Sequence, residues 1–380
     1  MCGWGDAMPD LRKDPVVGRW VIISTERARR PSDFKTEPVV ARGGNCVFCP
    51  GNEDKTPPEI LVGRPPDSSA NTSGWSFRVV ANKFPALRIE GDLEPAGEGL
   101  YDRINGVGAH EVVIEAPDHQ ATLASLSVDA VADVLLAYRE RVVDLKKDPR
   151  FEYVLVFKNH GEAAGASLEH PHSQLIATPI IPIMVTEELT GSAQYFEIKE
   201  RCVWCDIVRQ ERRTRSRIVL ESNGFVALAP FAPRFPFETW ILPTRHRSAF
   251  EETGVDELRG LAEVLGEFLR RMERVLKHPP FNYMLHTAPL REGPLEHFHW
   301  HLEIIPKLTQ VAGYEWGSGF FINPVPPHEA AAVLRSAELF SSGPSTTLTD
   351  RSRTKTSTTA QSMKDAQKGK DVLEDGDLVA

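Results

Sequence analysis

The alternation of apolar and polar positions divides the chain into a set of elements that occurs twice. The first pass begins with Cys-Val-Phe-Cys at 46–49, continues through apolar FRVVANKFPAL at 77–87, and reaches strand-like HEVVIEAPDH at 110–119. The segment VDAVADVLLAYRERVVDLKK at 128–147 places apolar residues at helical spacing and predicts an amphipathic helix. A strand from Phe151, FEYVLVFKNHG, and the segment HPHSQLIATP at 170–179 close the unit.

The second pass opens on Cys-Val-Trp-Cys at 202–205, followed by GFVALAPFAPRFP and strand-like ETWILPTRH ending at His246. A helix is predicted from Val255 to His278, then a strand FNYMLHTAPL, then HFHWHLEIIP at 297–306. His119 and His246 are 127 residues apart, and so are His172 and His299. Two coincidences at one offset, in one order of elements, predict an internal duplication. That register equates His299 with His172 and His297 with His170.

The expected fold is therefore α+β: two tandem half-domains, each an antiparallel sheet with one long helix. The expected boundaries are 1–190, 191–340 and a tail at 341–380. Ile180 to Tyr195 reads as connecting structure with some helix. The tail is rich in Ser, Thr, Lys and Asp and poor in large apolar residues, so it is expected to stay disordered.

Composition narrows the class. Of 380 residues, 41% are hydrophobic and 26% charged, an ordinary soluble balance. No apolar run suggests a membrane span, and the N-terminus lacks the apolar core of a signal peptide, so the expected compartment is the cytoplasm. A net charge of −9 argues against a nucleic-acid partner.

Four of the five cysteines form the two Cys-x-x-Cys pairs. In a reducing compartment such pairs are metal ligands, redox groups or simply buried thiols. Two pairs, each opening a duplicated unit and each followed by a duplicated histidine, favour zinc. For the first site the candidate ligands are Cys46, Cys49, His119 and His170. For the second they are Cys202, Cys205, His246 and either His297 or His299. Each set makes a closed Cys2His2 tetrahedron without an open position for water. His110 and His160 fit no repeated position and are assigned to the surface or to hydrogen bonding.

The segment GEAAGASLEHPHSQL carries the candidate chemistry. Its small residues let a backbone approach a ligand closely, and exposed amides there can cradle phosphate. His170, His172 and Gln174 alternate along a strand and so share one face. Imidazole attacks phosphorus when one nitrogen is held protonated and the other left free. A backbone carbonyl accepting from Nδ1–H of His172 would do this, and Gln174 could donate to phosphate without adding charge. A His-x-His strand serving only as metal ligands is the competing assignment.

At His-Pro-His-Ser-Gln the sequence resembles the histidine-triad superfamily, and within it the galactose-1-phosphate uridylyltransferase family. Further matching segments are RARRP, ANKFPAL and VFKNHGEAAGAS, and the likeness extends over about residues 10–340. The resemblance implies two tandem histidine-triad-like half-domains, with His172 as covalent nucleophile and His170 as a zinc ligand. It implies substrate contacts from Arg27, Arg30, Asn82, Asn159, Gly165, Ser167 and Gln174, and from Tyr314 and Glu315 of a hexose-phosphate loop. The glutamine such a loop carries is missing here, with Phe320 and Phe321 nearby. For the second metal the resemblance implies His299 beside Cys202, Cys205 and His246; other members use a glutamate and three histidines there.

The implied reaction is ping-pong transfer of UMP from UDP-glucose to a hexose 1-phosphate in galactose metabolism. The alternative within the family is ADP-glucose phosphorylase chemistry, with inorganic phosphate as acceptor. An alternative of another class is a non-catalytic, zinc-containing nucleotide-binding protein. The family further implies a homodimer.

Overall fold

The protein is described here by a computed structural model covering residues 9–24, 34 and 46–337. Met1–Ser342 gathers into one compact unit; the second unit, Gly343–Ala380, lies outside the described residues, and with it the expected tail.

The chain opens with a hairpin, β1 (Asp10–Lys13) and β2 (Trp20–Ile23). It continues with β3 (Glu59–Gly63), β4 (Phe77–Ala81), a small exposed hairpin of β5 (Ala96–Glu98) and β6 (Tyr101–Arg103), and β7 (Ala109–Ile114). Helix α1 (Val128–Leu145) precedes β8 (Tyr153–His160) and β9 (His172–Thr178). Helices α2 (Ile183–Lys199) and α3 (Val203–Thr214) lead into β10 (Ile218–Ser222), β11 (Phe225–Leu228) and β12 (Thr239–Pro243). Then come α4 (Val255–Leu276), β13 (Phe281–His286) and β14 (His301–Pro306). The described chain finishes with α5 (Gly313–Ser318), β15 (Phe321–Asn323) and α6 (Pro327–Ser336).

Ten strands form one sheet in the order β3-β4-β7-β9-β8-β13-β14-β12-β11-β10, antiparallel at every step. The order is a palindrome of the repeat: β8 corresponds to β13, β9 to β14, β7 to β12 and β4 to β11. The halves fuse at the β8–β13 seam, where Tyr283 faces Lys158 and Asn282 faces Asn159. A separate small sheet, β1-β2-β15, carries α5 on its last strand.

Period-two alternation assigns each strand residue to a face. Val79, Val113, Leu175, Ala227, Ile241 and Leu302 join the large core that also holds the buried faces of α1 and α4. Their immediate neighbours point the other way: Val80, Val112 and Ile114 pack with Phe48 and Trp75, while Val226, Leu228, Trp240 and Leu242 pack with Trp204. One face of the sheet is thus sealed by two helices, and the opposite face carries two separate small cores, each built around a cysteine pair.

The helix ends follow ordinary capping chemistry. The side chain of Ser127 accepts from Ala130 N to start α1, and Glu257 accepts from Gly254 N to start α4. The strand and helix patterns read from the sequence fall on β4, β7, β8, β9, α1 and their counterparts. The connecting segment folds as α2. Strands β1, β2, β3, β5, β6, β10 and β15 span only three to five residues, too short a pattern to be read from the sequence, and helices α3, α5 and α6 are not read from it either.

Candidate active site and metal centres

On the face away from the helices, Cys46, Cys49, His119 and His170 bring one ligand atom each to within 4.8 Å of one another. Cys202, Cys205, His246 and His299 do the same. In the first cluster Cys49 Sγ lies 3.4 Å from His119 Nδ1 and 3.6 Å from His170 Nδ1. In the second, Cys205 Sγ lies 3.4 Å from His246 Nδ1 and 3.6 Å from His299 Nδ1. Zinc bonds of about 2.3 Å to sulfur and about 2.05 Å to nitrogen, at the tetrahedral angle, put S and N about 3.5 Å apart, so the donor sets fit that ion.

The far nitrogens are tied down as well. His170 Nε2 donates to Ala116 O at 2.8 Å, His299 Nε2 to Pro243 O at 3.0 Å, and His246 Nε2 to Leu295 O at 3.0 Å. Such outer bonds fix the tautomer and leave Nδ1 as the ligand atom. The pKa of the Cys205 thiol is lowered, first by the hydrogen bond from Cys202 and then by His246 and His299.

The structure brings His299 to the second cluster and leaves His297 half-buried beside the ring of Phe196. It also corrects the register of the repeat. His170 and His299 play the same part, and so do His172 and His301: His172 Nδ1 donates to His170 O at 2.8 Å, and His301 Nδ1 donates to His299 O at 3.1 Å. The counterpart of His172 is therefore His301 rather than His299. The run His297, His299, His301, spaced by two, offers two registers in the sequence, and counting along it selects the wrong one; in the structure only His301 lies on β14.

His172 is 6% exposed. Its Nδ1 proton is committed to the His170 carbonyl, so Nε2 carries none. Burial holds the ring's pKa below the usual histidine value, and the nearby Lys158 charge adds to this, so the imidazole is neutral at physiological pH. Phe48, the aromatic residue between the cysteines, meets the ring edge-on at 5.5 Å.

Gln174 is oriented through His110, a residue to which the sequence alone assigns no specific role. Ala86 N donates to His110 Nδ1 at 3.1 Å, which places the His110 proton on Nε2, and this donates to Gln174 Oε1 at 2.8 Å. Asn82 Nδ2 donates to the same oxygen at 3.5 Å. With its oxygen engaged, Gln174 keeps its NH2 group as a donor for a ligand. Asn159 Oδ1 accepts from Asn282 Nδ2, which also donates to Ala164 O, both at 2.8 Å; this ties the small-residue loop to the second half. Gly161 (φ 82°) and Gly165 (φ 87°) turn that loop through the left-handed region. Ser167 is exposed on it.

Not every candidate joins this group. Arg27 and Arg30 lie outside the described residues. Tyr314 is half exposed on α5, and Glu315 caps that helix at Ala312 N. No hydrogen bond among the described residues links either to His172. Phe321 packs on Phe235 instead.

A third cluster was missed by sequence reasoning: Glu188, His286 and His301 also lie within 4.8 Å of one another. Glu188 and His286 border a cavity of about 200 Å³ lined by Trp204, Arg234, Trp240 and Glu303 among others. His286 Nδ1 donates to Glu188 at 2.9 Å. Only His301, in a run already rich in histidine, gave a sequence signal. A groove of about 970 Å³ runs along β10 and α4, and none of these histidines lines it.

Comparison with known proteins adds the lineage. Residues 5–182 match the family model "Galactose-1-phosphate uridyl transferase, N-terminal domain", and residues 188–313 match the corresponding C-terminal domain. The chain is 39% identical over 348 residues to ADP-glucose phosphorylase of Arabidopsis thaliana, covering 89% of this chain and 96% of that protein. It is 30% identical over 344 residues to galactose-1-phosphate uridylyltransferase of Thermotoga maritima, covering 87% and 99%. Among solved structures, an ADP-glucose phosphorylase from Arabidopsis thaliana with bound ADP-glucose superposes with a TM-score of 0.74 at 38% identity, covering 86% of this chain and 99% of that one. Two family models spanning most of the chain, and full-length relatives at this identity, make the chain a member of the galactose-1-phosphate uridylyltransferase family of nucleotidyltransferases.

Proposed function

We propose that His172 Nε2 attacks the α-phosphorus of a nucleotide sugar. The new N–P bond forms as the bond from that phosphorus to the bridging oxygen breaks, and a sugar 1-phosphate leaves. A phosphate oxygen of the acceptor then attacks the nucleotidyl-histidine and frees Nε2. The observation that carries this reading is the Nδ1–H···O=C bond from His172 to His170, which fixes the tautomer that attack requires.

In this reading the NH2 group of Gln174 donates to the equatorial phosphate oxygens, where Arg27 and Arg30 add positive charge. Asn82, Asn159, Gly165 and Ser167 line the substrate, and Tyr314 and Glu315 belong to the hexose-phosphate loop. Zinc fills both Cys2His2 clusters and supplies cross-links only, since neither cluster leaves a position open. Four cysteines free of disulfides among the described residues suit a reducing, cytoplasmic setting. The active form is a homodimer, to be checked by sedimentation.

The first reading of the substrates is UDP-glucose with a hexose 1-phosphate as acceptor, the chemistry of the family name. The second is ADP-glucose with inorganic phosphate, favoured by the 39% identity to the Arabidopsis ADP-glucose phosphorylase and by phenylalanines where a loop glutamine is expected. Mass spectrometry of the protein mixed with UDP-glucose alone, or ADP-glucose alone, decides between them. The expected result is one covalent nucleotide whose mass names the base, absent in His172→Ala. No adduct with either sugar would leave the non-catalytic alternative standing.

A further inference from the structure

Directly behind His172, on the helix-covered face of the sheet, lies a polar network that the proposed reaction does not use. Lys158 is 2% exposed, and its Nζ donates to Glu115 Oε2 at 2.6 Å and to the carbonyl oxygen of His172 at 2.9 Å. Glu115 is fully buried, and its backbone N–H donates to Pro171 O at 3.0 Å. Tyr138 of α1 adds hydrogen bonds to Ser173 and to Tyr283 across the seam, both at 2.5 Å.

Three consecutive carbonyls are thereby engaged. His170 O takes the His172 ring proton, Pro171 O takes the Glu115 N–H, and His172 O takes the Lys158 ammonium. The paired register of β8 and β9 runs from Tyr153–Thr178 to Phe157–Gln174. Lys158 follows directly and reaches the nucleophile's backbone with its side chain.

The other half shows what the fold itself requires here. Phe157 faces Gln174 as Met284 faces Glu303, so the next step, Lys158 beside Ser173, corresponds to Leu285 facing Leu302. Both leucines belong to the main core. An apolar pair therefore satisfies this position in the repeat. A buried ion pair is costly to desolvate and is weak evidence for stability, which leaves its contact with His172 as the feature to explain.

We infer that Lys158 is a positioning residue for the proposed nucleotidyl transfer: with Glu115 as its counter-charge, it clamps the His172 carbonyl and so fixes the aim of the imidazole. The inference rests on His172 being the nucleophile.

The test is single-turnover formation of the His172 adduct, followed by rapid quench at several nucleotide-sugar concentrations. Wild-type protein comes first; if it forms no adduct, the nucleotidyl-transfer reading and this inference fall together. With the adduct present, Lys158→Met/Glu115→Leu removes the pair without leaving an uncompensated charge. The expected result is a maximal adduct rate lowered ~10²-fold, the cost of a nucleophile misplaced by about 1 Å. The half-saturating concentration should stay within ~3-fold, because the uniform binding contacts remain. Lys158→Gln/Glu115→Gln keeps a neutral N–H donor at similar volume, and should recover most of the rate.

A purely structural pair predicts the opposite: an altered melting temperature with an unchanged adduct rate per folded molecule. That outcome overturns the inference, as does a Gln/Gln variant no faster than the Met/Leu one. If the Met/Leu variant does not fold, Lys158→Met/Glu115→Gln takes its place against the Gln/Gln variant. A slow adduct rate rescued by Gln/Gln then supports the clamp, and an unchanged or unrescued rate overturns it.

Discussion

The two halves of the sheet use one plan to opposite ends. In each, a histidine donates its Nδ1 proton to the carbonyl of the metal-cluster histidine two residues before it. In each, the aromatic residue between the two cysteines reaches that ring. Phe48 meets His172 edge-on at 5.5 Å, whereas Trp204 lies over His301 at 4.2 Å and 28°, close to parallel. The strand position two residues on holds neutral Gln174 in one half and, in the other, Glu303 paired with Arg234. His301 has the posture of a nucleophile, but an indole covers it and a carboxylate stands where phosphate would need a donor. The posture is thus a property of the repeat, and the chemistry comes from what surrounds it.

The comparison breaks most sharply if the wrong histidine does the work. His172→Ala should lower turnover by on the order of 10⁴-fold or more, as when a covalent nucleophile is removed. His301→Ala should still form the covalent adduct, measured by intact mass. An adduct that survives in His172→Ala would end the distinction between the halves.

The metal clusters should behave alike where the histidines differ. Cys46→Ser and Cys205→Ser should each cost on the order of 4 kcal/mol in denaturant unfolding, the range reached when a structural metal is lost. Elemental analysis should find two zinc ions per wild-type chain and one in each variant. A cluster whose loss left stability untouched but stopped turnover would instead be part of the chemistry.

Exchanging the residue two positions on should sharpen the contrast. Gln174→Glu gives the His172 half the mirror half's carboxylate, and should slow adduct formation ~10²-fold by replacing the proposed donor to phosphate with a negative charge. The smallest effect is expected from the aromatic swap. Phe48→Trp should slow the adduct step about tenfold by crowding the approach to Nε2, with the melting temperature near that of wild type.

Much of this was legible along the chain. Helices α1 and α4 and the strands between them follow from apolar periods of 3.6 and 2, which local sequence displays directly. His170, His172 and Gln174 share a face because alternation demands it. The cysteine pairs are adjacent in sequence, so their joint use could be anticipated. Other features depend on strands brought together from distant parts of the chain. His110 orients Gln174 across the β7–β9 pairing. Glu188 reaches His286 from α2, a segment whose sequence reads as connecting structure with some helix but gives no hint of this partner. Lys158 is one more charged residue along the chain; Glu115 and the His172 carbonyl close around it only in the fold.

The sequence by itself determined that the chain is built twice, that each copy holds a Cys-x-x-Cys pair, and that one copy carries His-Pro-His-Ser-Gln. Only the tertiary structure decided which residues of the copies correspond. Three histidines spaced by two are equivalent to a strand's alternation, and a shift of two residues leaves every side chain on the same face. The tie is broken by partners far away in the chain: Cys205 and the Pro243 carbonyl take His299, Trp204 covers His301, and His172 stands behind the edge of Phe48.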